Sequence, residues 1–529
     1  MSHVSQTATE QARGAEGGFL ALMRYRNYAL LWTGQLVSYL GDRFQWLAIS
    51  LWVFAQTGSA LSVSYAIMAL MLGPAVVGVF AGSLVDRLDR RKILIYGDLI
   101  RATLVFAIPD LMGWGLVWVY VDLFLVSVAS AFFRPAMFAA IPQSVPKGRL
   151  LQANAFFASM DTSAEVFGPA LAGMAIAWRG YEAAIYLNAV SYLVSAIFVS
   201  GLRLMREEAK EGNTLSGQTR GILRSIRDGF RYISGDRIQV ALLALLLGGF
   251  WVAGLTSLQT PLAKGVLGVT DSQFGWFQSI WGIGFVVSSL LLGWYGGSIP
   301  KGQAIVFAYL MWAVATGIMG RSANYGMLVV TGFWVGFTNM LLFVNTATVV
   351  MEHTPSEMIG RVIAIRQLVI AVVRVAALVG FGWLADRIGV RVAILTMAAI
   401  SFVGTLGVAL RFSVLWHYRL ESVPSTPDAR AVIGEVVATP AFHGALVRYL
   451  EAHAAPEFVI SEQRWLNAAT ILIVAGGWLV LLTILPIQAL GVAAIIAATL
   501  AIATLIRSIG RRLRVATEGQ EGGGGRSRP

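Results

Sequence analysis

The 529-residue sequence has no cysteine, only five histidines, only five lysines and a charged fraction of 13%. Without cysteine there can be no disulfide, no thiolate nucleophile and no Cys-ligated metal. The histidines show no HExxH or related spacing, so no zinc site is expected. None of the lysines precedes Ser or Thr, so the Gly-x-x-x-x-Gly-Lys-[Ser/Thr] phosphate cradle of an ATP-driven pump is missing. With neither a nucleotide cradle nor a catalytic constellation, an enzyme is not expected, nor any cofactor. The first 27 residues are polar and hold no short apolar core ahead of a cleavage site, so a removable leader is not expected either. The shortage of charge excludes most soluble classes, because soluble domains carry roughly 25% charged residues.

Apolar sequence fills the chain instead. It is 57% hydrophobic with a mean hydropathy of +0.70. Its apolar runs repeatedly reach the roughly 20 residues that cross a hydrocarbon core about 30 Å thick. We therefore read an all-α multi-pass membrane protein. Spans are expected near 28–55, 60–85, 93–112, 116–138, 150–178 and 182–202, forming one six-helix bundle over 28–202. A polar, amphipathic linker (203–237) follows. Six more spans are expected near 238–260, 272–294, 303–320, 325–350, 362–385 and 392–411, a second bundle over 238–412. Beyond it lie a soluble segment (413–466), an apolar hairpin (467–507) and a basic tail (508–529) ending in low-complexity EGGGGRSRP. The total is about 14 transmembrane helices.

The net charge of +12 does not point to nucleic acid, because the basic residues sit in short loops and tails between spans. With the N-terminal segment 1–27 inside, inner loops up to residue 361 hold nineteen basic residues. The outer loops hold five: Arg179, Lys264, Arg321, Arg387 and Arg391. Cytoplasmic termini in a cell inner membrane are the expectation. An offset of 209 aligns the halves: Pro146 with Pro355, Glu165 with Arg374, Gly173 with Gly382, and Gly180 with Gly389. Two parallel six-helix repeats suit a secondary transporter whose substrate site lies between them.

Ionisable residues inside spans cost about 2.5–3.5 kcal/mol each, so each is a functional candidate. On the first span Gln35, Ser38, Asp42 and Gln45 share a helical face, with Arg43 beside Asp42. On the fifth, Asn154, Asp161, Glu165 and Gly168 share another. Arg134 lies on the fourth span and Arg374 on the eleventh. A carboxylate whose cationic partner changes with conformation would bind and release a proton, and Asp42 and Glu165 are the candidates for that role. The other reading is a static ion pair, Asp42 with Arg134 or Arg43. For Asp161 a structural role is preferred, and Asp98 with Arg101 is read as a local pair. Gly168, Pro169 and Gly173 permit bending or close helix contact. Trp46, Trp276 and Trp281 are candidates either for interfacial belts or for lining an apolar cavity.

The segment GSLVDRLDRRK (82–92) places a knot of charge between two apolar runs. Its Gly82, Asp86, Arg87, Arg90 and Arg91 match the G-x-x-x-D-R-x-G-R-[RK] pattern of the major facilitator superfamily, with Asp89 in place of the second glycine. FGPALAG in the fifth span is similar to the Gly-Pro motif of its proton-coupled exporters. LLWTGQLVSYLGDRF, FFRPAMFAAIPQSVP and LLQANAFF resemble the branch containing enterobactin-exporter and macrolide-efflux proteins. The resemblance covers residues 24 to about 412. It implies two six-helix bundles of the major facilitator fold, alternating access, and proton-coupled, antiporter-type efflux of amphiphilic or multidrug substrates. It also implies that Asp86 meets the start of the eleventh span near Arg361 when the inner gate is shut. The expected partners are a small-molecule substrate, the proton gradient and membrane lipids, with no nucleic acid and no ATP. A lipid or lysolipid translocator, a dedicated siderophore or metabolite exporter, and a non-transporting assembly or sensor protein are the alternatives. GWLADRIG (382–389) looks like a second copy of the charged motif but falls on the outer side, and is treated as a look-alike.

Overall fold

Gly, Pro and capping residues cut the apolar sequence into helices, and the computed structural model describes residues 19–85, 88–203, 227–295 and 300–418. The N-terminal half consists of α1 (Arg26–Thr57), α2 (Ala60–Val85), α3 (Arg90–Trp114), α4 (Leu116–Ala140) and α5 (Leu150–Ser200). α1 stops at Gly58, whose φ of 63° is left-handed and whose N–H bonds to Phe54 O. α3 starts at Asp89, whose carboxylate accepts the N–H groups of Arg91 and Lys92 at 3.0 and 3.3 Å. The aspartate that replaces the pattern's glycine is thus the N-cap of the next span.

α5 has 51 residues. At about 1.5 Å per residue that is too long for one crossing. It breaks at Gly180, with φ 82° and ψ 179°, into two limbs that correspond to the fifth and sixth expected spans. Residue 389, its counterpart at the 209-residue offset, is again a glycine with positive φ (89°), and it joins α11 (Ser356–Ile388) to α12 (Val390–Arg411). Only glycine takes this backbone conformation without strain. The repeat therefore extends to a positive-φ glycine turn at the same place in both halves.

The C-terminal half opens with the least regular span. α6 (Arg237–Gly249) passes through a 3-10 turn (Phe250–Gly254) into α7 (Leu255–Thr260) and a π turn (Pro261–Val266). The sequence predicts one plain helix over 238–260. The difference has two causes: Gly248, Gly249 and Gly254 weaken the helix, and Pro261 supplies no N–H to it. A Cβ on Gly254 would lie 2.9 Å from Ala377 backbone, so the irregular segment presses directly on α11. α8 (Asp271–Tyr295), α9 (Lys301–Gly320) and α10 (Tyr325–His353) complete this half with α11 and α12. Nine described runs, that containing α5 among them, are long and apolar enough to cross a membrane. Counting the limbs of α5 separately and adding the more charged α1 and α3, the described residues form twelve spans.

Within the N-terminal half α1 packs on α5, α2 on α4, and α3 on α4 and α5. Within the C-terminal half α8 packs on α10, α9 on α10 and α12, and α6 on α12. The halves meet through α5 with α8 and α2 with α11. Of the linker, residues 227–235 are helical, and Asp228 pairs with Arg361 at 3.4 Å. The expected soluble segment from residue 419 onward, the apolar hairpin and the basic tail lie outside the described residues, as do 1–18 and 204–226.

Candidate functional site at the junction of the two halves

The polar face of α1 is absorbed mainly by the second limb of α5. Gln35 Nε2 donates to Ser195 Oγ at 3.0 Å, and Asn188 Nδ2 donates to Gln45 Oε1 at 2.6 Å. Gly41 lets this limb approach, since a Cβ there would collide with the Asn188 and Ser191 side chains. Gln35, Ser38 and Gln45 are buried in this seam. Their spacing predicts a shared face correctly; the occupant of that face is a packed helix.

Asp42 belongs to the same seam and accepts a hydrogen bond from the Tyr192 hydroxyl. It pairs with neither Arg134, which is exposed, nor Arg43. Adjacent helical residues point about 100° apart, so Asp42 and Arg43 address different neighbours. The static pairs considered for Asp42 are corrected accordingly. Behind Tyr192 lies the expected Asp98–Arg101 pair, fully enclosed. The Arg101 guanidinium sits 3.9 Å from the Phe133 ring centre and 4.4 Å from that of Tyr192. Two aromatic faces, the Asp98 carboxylate and the Gly97 carbonyl, which accepts from Arg101 Nε at 3.4 Å, thus stand in for its hydration shell. Tyr192 and Phe133 escaped sequence reasoning because nothing in local spacing ties them to Arg101.

Arg43 turns toward the first limb of α5. Its Nη2 lies 2.6 Å from Glu165 Oε2 and 3.5 Å from Asp161 Oδ1. Gly168 makes this possible: a Cβ there would stand 2.6 and 2.7 Å from Arg43 Cβ and Cγ. The glycine is a bed for the arginine stem as much as part of a Gly-Pro break. Asp161 is half-exposed and more loosely held, whereas Glu165 is about one-third exposed. Arg374, on α11 of the other half, interacts electrostatically with Glu165 across the junction, and its Nε has no hydrogen-bond partner among the described residues. Glu165 therefore holds a direct cation in its own half and lies within electrostatic range of a second cation in the other. Glu165 and Arg374 are also the pair related by the 209-residue offset.

The rest of the α5–α8 contact is built from small residues. Cβ atoms added at Gly173 and Gly282 would lie 2.8 Å from Asp271 O and 2.9 Å from Glu165 O. Because Pro169 disturbs the local ladder, the Ala170 N–H donates instead to Ser279 Oγ across the halves at 2.9 Å. Gly168, Pro169 and Gly173 thus sit on close contacts, Gly168 within the half and the other two between halves. Of the tryptophans, Trp46 and Trp281 are half-buried and Trp276 is half-exposed on α8. Two buried groups that the sequence did not single out are Asp122 on α4 and Arg366 on α11. Arg366 Nη1 meets no partner among the described residues.

At the charged motif, Gly82 lies in the last turns of α2, and Asp86 and Arg87 fall outside the described residues. Arg90 reaches the Ala139 carbonyl at 3.5 Å, and Arg91 donates to the Ser200 carbonyl. The two arginines fasten the start of α3 to the ends of α4 and α5.

The family model described as Major Facilitator Superfamily matches residues 31–270 and 256–516. The chain belongs to the major facilitator superfamily. It is similar to macrolide efflux protein A of Streptococcus pyogenes, 26% identical over 387 residues, covering 69% of this chain and 92% of that protein. It is also similar to the putative bacilysin exporter BacE of Bacillus amyloliquefaciens, 27% identical over 279 residues, covering 52% of this chain and 68% of that protein. Among solved structures, a bacterial homologue of the lysosomal transporter Spinster gives a TM-score of 0.59 at 13% identity, covering 75% of this chain and 99% of that one. A bacterial homologue of ferroportin gives 0.58 at 13% identity, covering 74% and 99%. The fold is thus that of two six-helix bundles, and the protein is a multi-pass membrane transporter of this superfamily with efflux-named relatives.

Proposed function

We propose that this protein is a proton-coupled exporter of amphiphilic small molecules that works by alternating access, with both termini in the cytoplasm. The observation that carries the reading is the position of Glu165. It holds Arg43 at 2.6 Å within its own half and lies within electrostatic range of Arg374 across the junction. A rocking motion between halves alters the second interaction and leaves the first, so the charge surrounding Glu165 follows the conformation. Asp42 is a second protonatable group of the same half, held by Tyr192, and Asp161 shares Arg43 with Glu165. The names of the macrolide and bacilysin relatives support an outward direction and a bulky, partly apolar cargo. The Gly-Pro break at Gly168, Pro169 and Gly173 serves as the hinge, and the charged motif from Gly82 to Arg91 as the inner gate.

The test uses inside-out vesicles with an imposed pH gradient and a panel of fluorescent cationic and macrolide-like probes. Gradient-driven uptake by the native chain is expected to fall at least about tenfold in Glu165→Gln, with a smaller loss in Asp42→Asn. Uptake that ignores the gradient, or that survives Glu165→Gln unchanged, overturns the coupling assignment.

A further inference from the structure

The segment GWLADRIG (382–389) has a structural role that its resemblance to the charged inner motif does not suggest. Asp386, near the end of α11, reaches across the junction to the first turn of α2. Its Oδ1 accepts the Ala60 N–H at 2.7 Å. Its Oδ2 accepts the Ser59 hydroxyl at 2.6 Å and the Leu61 N–H at 3.3 Å. These are the orphan donors that open every helix, and a carboxylate there also meets the positive end of the helix dipole. Ser59 Oγ takes the next N–H, from Ser62, at 3.0 Å. One half of the protein therefore supplies the N-cap for a helix of the other half.

The neighbouring residues of the segment bring this cap into reach. A Cβ on Gly382 would lie 3.1 Å from Leu61 Cα, so glycine sets the closeness of α2 and α11. One turn before it, the Leu378 carbonyl accepts the Ser64 hydroxyl at 2.7 Å. Gly389, with its φ of 89°, turns the chain immediately after the cap. Asp386 is exposed, and it borders a cleft of about 480 Å³ shared by Phe54, Thr57, Pro261, Val266 and Val390. The clasp is open to water from one side, so its bonds can be exchanged for water without burying an unpaired charge.

We infer that Asp386 is the latch of the outer gate: it clasps the first turn of α2 when the transporter is closed to the outside, and it releases that turn when the outer face opens. This inference rests on the alternating-access reading above and on the orientation that puts this end outside. The cap stabilises one conformation only, because separating α2 from α11 breaks all three bonds at once. Charge-assisted bonds of this kind are the strong ones, and losing the equivalent of one or two kcal/mol changes a two-state ratio by about 5- to 30-fold.

The experiment is double electron–electron resonance on the full chain in nanodiscs, with cysteines introduced into its cysteine-free background. Val117→Cys with Ala323→Cys reports the outer end, and Leu151→Cys with Glu357→Cys reports the inner end; all four positions are exposed. In Asp386→Ala the outer distances are expected to lengthen and the inner ones to shorten, with the state ratio moving about 5- to 30-fold. Ser59→Ala, which keeps both backbone bonds, is expected to shift the ratio in the same direction by less. If Asp386→Ala does not fold, Asp386→Asn and Ser59→Ala carry the test. Two populations that are insensitive to all these substitutions overturn the latch and leave alternating access standing. A single population at both ends under every gradient and probe condition overturns alternating access, and the latch with it.

Discussion

At the residue scale, the costliest commitment is the enclosed Asp98–Arg101 pair, with exposures of 0% and 4%. Removing one partner strands the other charge in a low-dielectric interior, which costs about 3–5 kcal/mol. Asp98→Asn is therefore expected to lower the thermal unfolding midpoint in detergent markedly, by several degrees. The combined Asp98→Leu and Arg101→Met change is expected to be milder than Asp98→Asn alone, because a matched apolar pair leaves no charge behind. A double substitution as damaging as the single one, in a melting assay, would contradict this account. The pair itself was legible in the sequence, since three-residue spacing on a helix brings side chains together. Its aromatic lid was not, because Tyr192 and Phe133 reach Arg101 from other helices. Likewise the adjacency of Asp42 and Arg43 suggested a pair, yet helical geometry sends one to Tyr192 and the other to Glu165.

At the element scale, each junction helix pair relies on small residues. Gly173 and Gly275 let α5 and α8 approach until a Cβ on Gly275 would stand 2.9 Å from Gly173 Cα. Overpacking such a contact costs about 1–3 kcal/mol. That cost falls only on the conformation in which the helices touch. Gly275→Ala is thus expected to move the Val117/Ala323 spin-label distances outward and to slow transport, with little change in expression. Unchanged distances would make this contact incidental to gating. The sequence marked Gly173 and Gly382 as repeat partners, and both prove to be close-contact glycines between the halves. The irregular course through α6 and α7 was not legible, since apolar content alone does not distinguish a straight helix from one broken by glycine and Pro261.

At the scale of the whole molecule, the orientation drawn from nineteen inner against five outer basic residues is directly checkable. A membrane-impermeant maleimide is expected to label Val117→Cys and Ala323→Cys in intact cells, and Leu151→Cys only in inside-out vesicles. The reverse pattern would invert the proposed direction of transport. The span count of the described core was readable because twenty-residue apolar runs have few other uses. The contacts made across the junction were not, because they depend on which helices of the two halves touch. One feature of that junction sets a mechanical limit. Gly282 packs against the backbone of Glu165 itself, so in the proposed cycle the charged residue lies where the two bundles touch, beside the pivot of their swing and not at the end of a lever. A tilt that opens a span end by many ångströms moves atoms beside the pivot by only a small fraction of that distance. Under the proposed function coupling is therefore geared low: a displacement of a bond length at Glu165 has to stand for a full swing of the bundles. Any substitution that loosens the pivot would let the bundles swing without the proton.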